Sequence, residues 1–240
     1  MGSLLLLNSR RYYRRVLATR PIAYWPQWEG AGAVAYDLSG NARNGAYTGV
    51  DLGQVGIGDG RVCPWYDGAN DYNNVYSAGL AGAFNGAEGS VMVWARVNAA
   101  AVWTDGAIRR ALHLQADGTN RIYLARSSTN NQFDLVYIAG GTTKQVNMAG
   151  LSTVGWMCLA LTWNLAAGVN GEMKAYAQGA QVGTTQTALG TWAGALAATL
   201  CCIGATSTTP TNVWQGWVAH ACIWDRALAP AEVLSLARVR

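Results

Sequence analysis

The stretch Val213-Trp-Gln-Gly-Trp-Val-Ala-His-Ala-Cys-Ile-Trp224 decides the fold class. It is rich in β-branched and aromatic residues, which predicts a strand. Strict alternation divides this strand into two faces, which consist of Trp217, Ala219, Ala221 and Ile223, and of Val218, Cys222 and Trp224. Because both faces are apolar, we expect a central strand that is covered on both sides.

The residues after this strand predict a turn and then a short helix. Asp225-Arg-Ala-Leu228 breaks the strand pattern. Proline lacks a backbone N–H, but in the first turn of a helix that N–H would have no intrahelical partner, so Pro230 costs no hydrogen bond there. The negative charge of Glu232 is favoured in the same turn by the helix dipole. We therefore expect a short helix at the C-terminal end.

Most of the remaining chain is predicted to form short strands joined by tight turns. Its 240 residues include 29 Gly, 11 Trp and 11 Tyr, and only 12% are charged, which is typical of one large all-β domain. Ala116-Asp-Gly-Thr-Asn120 predicts a hairpin turn. Residues 183–211 predict a loop apart from one strand at 200–204. The other predicted strands are residues 89–97, 108–115, 121–126, 132–139, 156–163 and 172–177.

Three segments along the chain carry a resemblance to a known family. Pro21-Ile-Ala-Tyr-Trp-Pro-Gln-Trp-Glu29 precedes Asp37-Leu-Ser-Gly-Asn-Ala-Arg-Asn-Gly45, Tyr66-Asp-Gly-Ala-Asn-Asp-Tyr72 follows, and the last strand runs into Asp225-Arg-Ala-Leu-Ala-Pro-Ala-Glu232. Together they resemble laminin-G-like domains of the concanavalin-A-like family. The resemblance implies an antiparallel two-sheet jelly-roll sandwich, which we expect to fill residues 21–240. It implies no activity by itself, because this fold hosts lectins, glycosidases and structural modules.

The first 20 residues differ in charge from the rest of the chain. They contain five arginines and no acid, whereas the remainder carries 12 basic and 13 acidic groups. We expect a short basic helix from about residue 10 to 19, and we interpret four of its arginines as assembly contacts. These candidates are Arg10, Arg11, Arg14 and Arg15. The alternative is a solvated helix face that lies on the sandwich.

The cysteines and the N-terminal sequence predict the cellular compartment in which the protein is made. Five cysteines without recurring spacing favour free, buried thiols over a disulfide framework. Residues 4–7 form too short an apolar run for a signal peptide, and no stretch is long enough to span a membrane. We therefore expect a protein made in a reducing cytoplasm.

The chain lacks the usual catalytic patterns, which predicts a non-enzyme. Its glutamates each occur in a different segment, although a carboxylate pair assembled from distant segments remains open. His113 and His220 lie in apolar strands, where a packed, hydrogen-bonded histidine is the commoner role. Balanced charge outside residues 1–20 and the absence of a recognition motif predict no nucleic-acid binding.

The resemblance also implies calcium as a possible cofactor, because many relatives bind it near the rim of the sandwich. Asp37 and Asn41 match the turn concerned. However, Ala219-His220 stands where relatives carry a carboxylate in the last strand. The alternative is that Asp37 closes an Asx turn.

Two tryptophans in loops are candidates for contact with a glycan. Trp103 and Trp192 lie in polar segments rich in Gly, Ala and Thr, so we expect them to be more exposed than the tryptophans in strands. The alternative for both is local packing under a loop.

These observations lead to three functional hypotheses. The segment Arg11-Tyr-Tyr-Arg-Arg-Val-Leu-Ala-Thr-Arg-Pro-Ile-Ala-Tyr-Trp-Pro26 resembles the start of such domains in phage-encoded proteins. The leading hypothesis is therefore a non-catalytic virion surface protein of a tailed bacteriophage, a homo-oligomer that contacts other capsid or tail proteins. The second is a lectin or host-adhesion module that binds surface glycans. The third is a glycosidase with an atypical carboxylate pair.

Overall fold

The computed structural model describes residues 12–239 of the chain. Within this range, sixteen strands form two eight-stranded antiparallel sheets, which confirms the predicted all-β sandwich. Three short helices accompany the sheets: α1 (residues 12–18), α2 (Ala78–Ala83) and α3 (Pro230–Leu236). Residues Ala100–Trp103 form a 3₁₀ turn.

The two sheets are named sheet A and sheet B. In order across sheet A lie β14 (Ala180–Thr187), β13 (Glu172–Ala177), β12 (Met157–Asn164), β7 (Glu88–Val97), β16 (Gln215–Trp224), β5 (Val62–Asp67) and β4 (Asp51–Val55), and β1 (Ala23–Trp25) also pairs with β16. In order across sheet B lie β11 (Thr142–Met148), β10 (Phe133–Ala139), β9 (Asn120–Arg126), β8 (Arg109–Asp117), β15 (Cys201–Ile203), β6 (Tyr72–Asn74), β3 (Gly45–Thr48) and β2 (Val34–Ala35).

The strand β16 is central and covered on both sides, as its two apolar faces predict. It pairs with β7 on one edge and with β5 and β1 on the other. The predicted division of its faces is wrong beyond Ala219, because the ladder with β7 shifts between Ala219 and Cys222. His220 is the extra residue of this bulge, with a φ of 50°. Its insertion moves Ala221 and Ile223 into the core between the sheets with Val218.

Helices cover the outer face of sheet A. Tyr12 and Val16 of α1 and Leu236 of α3 are fully or almost fully buried, in a second apolar cluster with Trp94 and Trp224. Residues 12–18 of the N-terminal segment are therefore packed against the sandwich rather than free of it. The structure supports the alternative of a helix face that lies on the sandwich.

The strands at the sheet edges, β2, β4, β11 and β14, are among those that the sequence did not predict. Residues 142–148 form β11, and β14 begins three residues before the segment that was predicted to be loop. Exposed polar side chains dominate β14, so it lacks the apolar alternation that identifies a strand. Gln178 and Gly179 connect β13 to β14 with φ values of 52° and 82°, the conformation of a type I′ hairpin.

All five cysteines are buried and free, as their number and spacing predict. Burial raises the pKa of every one, so each thiol is protonated at neutral pH. No helix within residues 12–239 is long and apolar enough to cross a membrane.

Candidate functional site

The outer face of sheet B differs from that of sheet A, because polar side chains from β8, β9 and β10 line it. The register of the ladders arranges these side chains in three rows across the strands. The first row consists of Arg110, Ala125, Asp134 and Asn147. The second consists of Cys202, His113, Tyr123, Val136 and Gln145. The third consists of Gln115, Arg121, Ile138 and Thr143. We call this surface the B face.

Tyr123 occupies the middle of the B face. The Cζ atom of Arg110 lies 3.4 Å from the centroid of the Tyr123 ring, a cation–π contact that fixes the plane of the guanidinium. His113 lies beside Tyr123 with the two rings 6.1 Å apart and 22° from parallel. The centre of the B face is therefore a packed group of one cation and two rings.

His113 is neutral and one of its nitrogens has no partner. Burial, together with the charge of Arg110, lowers the pKa of His113 to about 3. Its Nε2 lies 2.7 Å from Oε1 of Gln115, and because that oxygen is an acceptor, Nε2 carries the proton. Nδ1 is then an acceptor, and it is buried without a hydrogen-bond partner among the described residues.

Arg110 and Arg121 also contribute polar atoms that are not used by the fold. The Nε atom of each is enclosed and has no hydrogen-bond partner in the part of the chain that the structure describes. Such atoms are uncommon in folded proteins, and they are satisfied when a ligand or ordered water binds. The B face therefore presents two donors and one acceptor in a small area.

A groove with a volume of about 620 Å³ lies away from the B face. It is lined by the end of α1, by the turn at residues 38–41 and by Asp225 and Arg226. Several of its polar groups already bind within the protein. Arg226 forms a bidentate ion pair with Glu232, and Nδ2 of Asn41 donates to the carbonyl of Ile22. The groove is therefore lined in part by polar groups that are already used within the protein.

Comparisons with known proteins identify the family. The family model described as concanavalin A-like lectin/glucanases superfamily, of the laminin-G type, matches residues 67–234, well over half of the chain. This chain belongs to the concanavalin A-like lectin/glucanase superfamily. No curated protein sequence matches it.

Solved structures similar to this superfamily member share its fold at low identity. Domain 4 of an extracellular GH43 arabinanase from Geobacillus stearothermophilus, solved with arabinotriose, is 17% identical with a TM-score of 0.63, and the match covers 91% of this chain and 98% of that one. The receptor-binding domain of botulinum neurotoxin mosaic serotype C/D is 12% identical with a TM-score of 0.67, covering 92% and 51%. The binding domain of Paraclostridial Mosquitocidal Protein 1 is 14% identical with a TM-score of 0.67, covering 92% and 52%. The chain therefore spans about half the length of the latter two.

The calcium site implied by relatives of the superfamily does not fit this chain. Both carboxylate oxygens of Asp37 are occupied: Oδ1 accepts from the backbone N–H of Tyr24 and Ser39, and Oδ2 accepts from the Ser39 hydroxyl and the backbone N–H of Arg43. Nδ2 of Asn41 donates to the carbonyl of Ile22 and to the hydroxyl of Ser39, which ties this side chain to the turn. Within residues 12–239, no three His, Cys, Asp or Glu side chains cluster as metal ligands would. Asp37 therefore closes an Asx turn.

The predicted exposure of Trp103 is wrong, because its side chain is fully buried. Its Nε1 donates to the carbonyl of Thr153, which satisfies the only polar atom of the ring. Trp192 is partly buried and packs against Phe84 and Tyr137 at 5.3 and 6.2 Å. Both rings thus pack under loops, and contact of Trp192 with a glycan stays a prediction.

The four arginine candidates of the N-terminal segment fall into two groups. Arg10 and Arg11 lie outside the described residues. Arg14 is exposed on α1, and Arg15 donates to the backbone carbonyl of Arg238 and lies over the ring of Tyr12. Arg15 is therefore part of the contact between α1 and the C-terminal segment, and Arg14 remains available to a partner.

Two glutamates from distant segments lie in one row of sheet A, as the glycosidase hypothesis requires. Glu88 and Glu172 both pair with Asn164, one from each neighbouring strand. However, Glu88 accepts a hydrogen bond from Asn164, and Glu172 forms an ion pair with Lys174 at 2.7 Å. Each carboxylate is thus held by its own partner rather than aimed at a common groove.

The B face was not predicted from the sequence, although one signal pointed to it. Arg121 and Tyr123 alternate with apolar Ile122 and Leu124, which places them on the solvent side of one strand. The predicted hairpin at residues 116–120 would have brought β8 alongside. The bulge between Arg110 and Leu112 could not be predicted from the sequence. It places Arg110 on the same face of the sheet as Tyr123.

Proposed function

We propose that this chain is a non-catalytic carbohydrate-binding module that presents the B face to its ligand. The observation that carries the proposal is the contrast between the two outer faces: helices seal that of sheet A, whereas the B face keeps unsatisfied polar atoms around an aromatic ring. Ligand sites in proteins combine apolar or aromatic surface with a few placed polar groups, which is the composition of this face.

Family membership and one structural neighbour support a sugar as the ligand. The chain belongs to a superfamily that takes its name from lectins and glucanases. The arabinanase domain with the same fold was solved with arabinotriose, and the match spans nearly all of that domain. The separate engagement of Glu88 and Glu172 supports binding without hydrolysis.

Titration calorimetry of glycan-array hits against the full chain and two variants tests the proposal. Tyr123→Ala removes the ring at the centre of the B face, so we expect at least a tenfold loss of affinity. Tyr36→Ala is the matched control, because Tyr36 is 55% exposed and follows β2, at the far edge of the same sheet. Equal binding by both variants would place the site elsewhere, and the groove beside Asn41 would be examined next.

We also propose, from the resemblance of residues 11–26 alone, that the module acts on the virion surface of a tailed bacteriophage after synthesis in the host cytoplasm. As a homo-oligomer it would contact capsid or tail proteins through exposed cations such as Arg14. Mass spectrometry of purified virions is the test, and absence of the chain from the particles would overturn this role.

A further inference from the structure

The arginines of the B face differ from their neighbours in how their charge is balanced. Arg109 and Arg126 lie next to the B face, and both contact Asp105, at 2.7 and 3.4 Å. Arg110 and Arg121 form no ion pair with any residue in the range 12–239. Their nearest acid on the face is Asp134, which lies in the first row and accepts from Gln132 at 2.7 Å. Two guanidiniums therefore share one small surface without a bound counter-charge.

This arrangement is costly unless something else neutralises it. Burial lowers the pKa of Arg110, and the charge of Arg121 acts in the same direction. Tyr123 and Asp134 offset the effect in part. A buried or half-buried cation without a partner costs free energy that an anion restores on binding. The B face thus carries two positive charges and one negative charge, and a bound anion would neutralise the difference.

The geometry also defines the shape of the missing partner. Stacking on Tyr123 fixes the plane of Arg110, and a guanidinium whose plane is fixed binds a carboxylate or sulfate through two parallel hydrogen bonds. Asp134, which lies on the same face and is partly exposed, provides an acceptor for a hydroxyl of the same ligand.

We propose that the B face binds an acidic glycan, whose carboxylate or sulfate lies between Arg110 and Arg121 while one of its hydroxyls donates to Asp134. The inference rests on the proposed function and names the class of sugar. The hydroxyls of a neutral sugar would accept hydrogen bonds from these arginines but would leave their positive charge without a counter-ion. A nucleic acid fits less well, because two cations beside a carboxylate neutralise too few phosphates to hold a polyanion.

The experiment compares glycans that differ only in charge. Oligogalacturonate is measured by calorimetry against its methyl ester, and a carrageenan oligosaccharide, which carries sulfate but no carboxylate, against its desulfated form. The first pair therefore tests the carboxylate and the second pair tests the sulfate. We expect the acidic member of at least one pair to bind tenfold or more tightly than its neutral counterpart. We also expect the affinity to fall between 50 and 500 mM NaCl, since salt screens exposed charges.

Variants assign the effect to the two arginines. Arg121→Gln should lose tenfold or more for the acidic glycan and little for the neutral one. Arg110→Lys keeps the charge but not the planar fork, so it should also weaken binding. Arg238→Gln removes one exposed charge that follows α3 and should stay within twofold of the wild type. Thermal melting shows that each variant is folded before it is compared.

The possible failures are distinguishable. Equal affinity for acidic and neutral members of both pairs would overturn this inference and leave the carbohydrate-binding function standing. Absence of binding to every glycan would overturn the proposed function itself. Binding of inorganic polyphosphate or RNA as tight as that of the acidic sugar would show a polyanion site and contradict a glycan ligand.

Discussion

The outer faces of the two sheets differ in what becomes of their polar atoms. On sheet A, Nε1 of Trp94 donates to the Tyr12 hydroxyl at 2.7 Å, and this hydroxyl donates to the carbonyl of Leu236 at 3.0 Å. Nε1 of Trp224 donates to Thr19 at 2.9 Å. On the B face, Nε atoms of two arginines and Nδ1 of one histidine have no partner within residues 12–239. On sheet A, buried polar atoms without a partner among the described residues are the exception, as at Oη of Tyr176 and Nε of Arg15. On the B face they are grouped around one aromatic ring, where they can serve a ligand.

Removal of residues 1–20 is expected to have the largest effect on stability, because it exposes the outer face of sheet A to solvent. Tyr12 and Val16 are fully buried there. Loss of a large aromatic costs about 3–5 kcal/mol and a buried Val adds about 1.5–3, so we expect more than about 5 kcal/mol in total. At roughly 2–4 °C per kcal/mol, the melting temperature should fall by roughly 10–20 °C, measured by calorimetry.

Arg14→Gln is the control for this truncation, since it changes an exposed side chain of the same helix and should leave the melting temperature almost unchanged. A truncated chain that melts like the full one would mean that α1 contributes nothing to stability. It would restore the interpretation of the segment as an independent docking arm.

Two tryptophans of β16 differ in burial, so single substitutions of them should differ in their effect on stability. Trp224 is almost fully buried under α1, so Trp224→Ala should destabilise the protein by about 3–5 kcal/mol in urea denaturation. Trp217 is only half-buried and its ring carries Arg96 at 4.5 Å from the centroid, so Trp217→Ala should cost clearly less. Equal losses for both variants would contradict the assignment of Trp224 to the sealed part of the face.

The pH dependence of stability tests the buried histidine of the B face. The pKa of His113 falls from its usual value near 6.5 to about 3 in the folded state, so the unfolded chain binds more protons between these values. Stability is therefore lost as the pH falls through this window, by about 2–3 kcal/mol between pH 7 and 4.5. The pKa of Asp59 is lowered as well, because a hydrogen bond and the charge of His220 outweigh the effect of burial, but its contribution is lost only below about pH 4.

His113→Gln should flatten this part of the profile, since glutamine does not titrate. Urea denaturation of both proteins at pH 7.0, 5.5 and 4.5 measures the difference. A variant that keeps the full wild-type slope would show that another group is responsible.

Much of the fold could be predicted, because its signals are local. Predicted strands at residues 89–97, 121–126 and 172–177 match β7, β9 and β13 closely. Apolar alternation, turn residues and the proline that begins α3 each act within a few positions of one another. The edge strands β11 and β14 escaped prediction because an edge strand needs no apolar face.

The candidate site could be predicted far less well. Trp103 was chosen for the polarity of its sequence neighbours, but its burial depends on Thr153, 50 positions away. Asp37 was matched to a calcium turn, but backbone donors from β1 and from its own loop occupy its oxygens. Exposure and hydrogen bonding are properties of spatial neighbours, and these are distant in sequence.

By itself the sequence determined the sandwich, the central position of β16, the free buried cysteines and the resemblance to the superfamily, because each follows from local pattern or composition. Only the tertiary structure decided which way each side chain faces. One extra residue at His220 reverses the alternation of β16, and one bulge in β8 sets Arg110 over Tyr123. Strand register is fixed by pairing between segments far apart in the chain, so a shift of one residue exchanges buried for exposed side chains without any change in the local pattern.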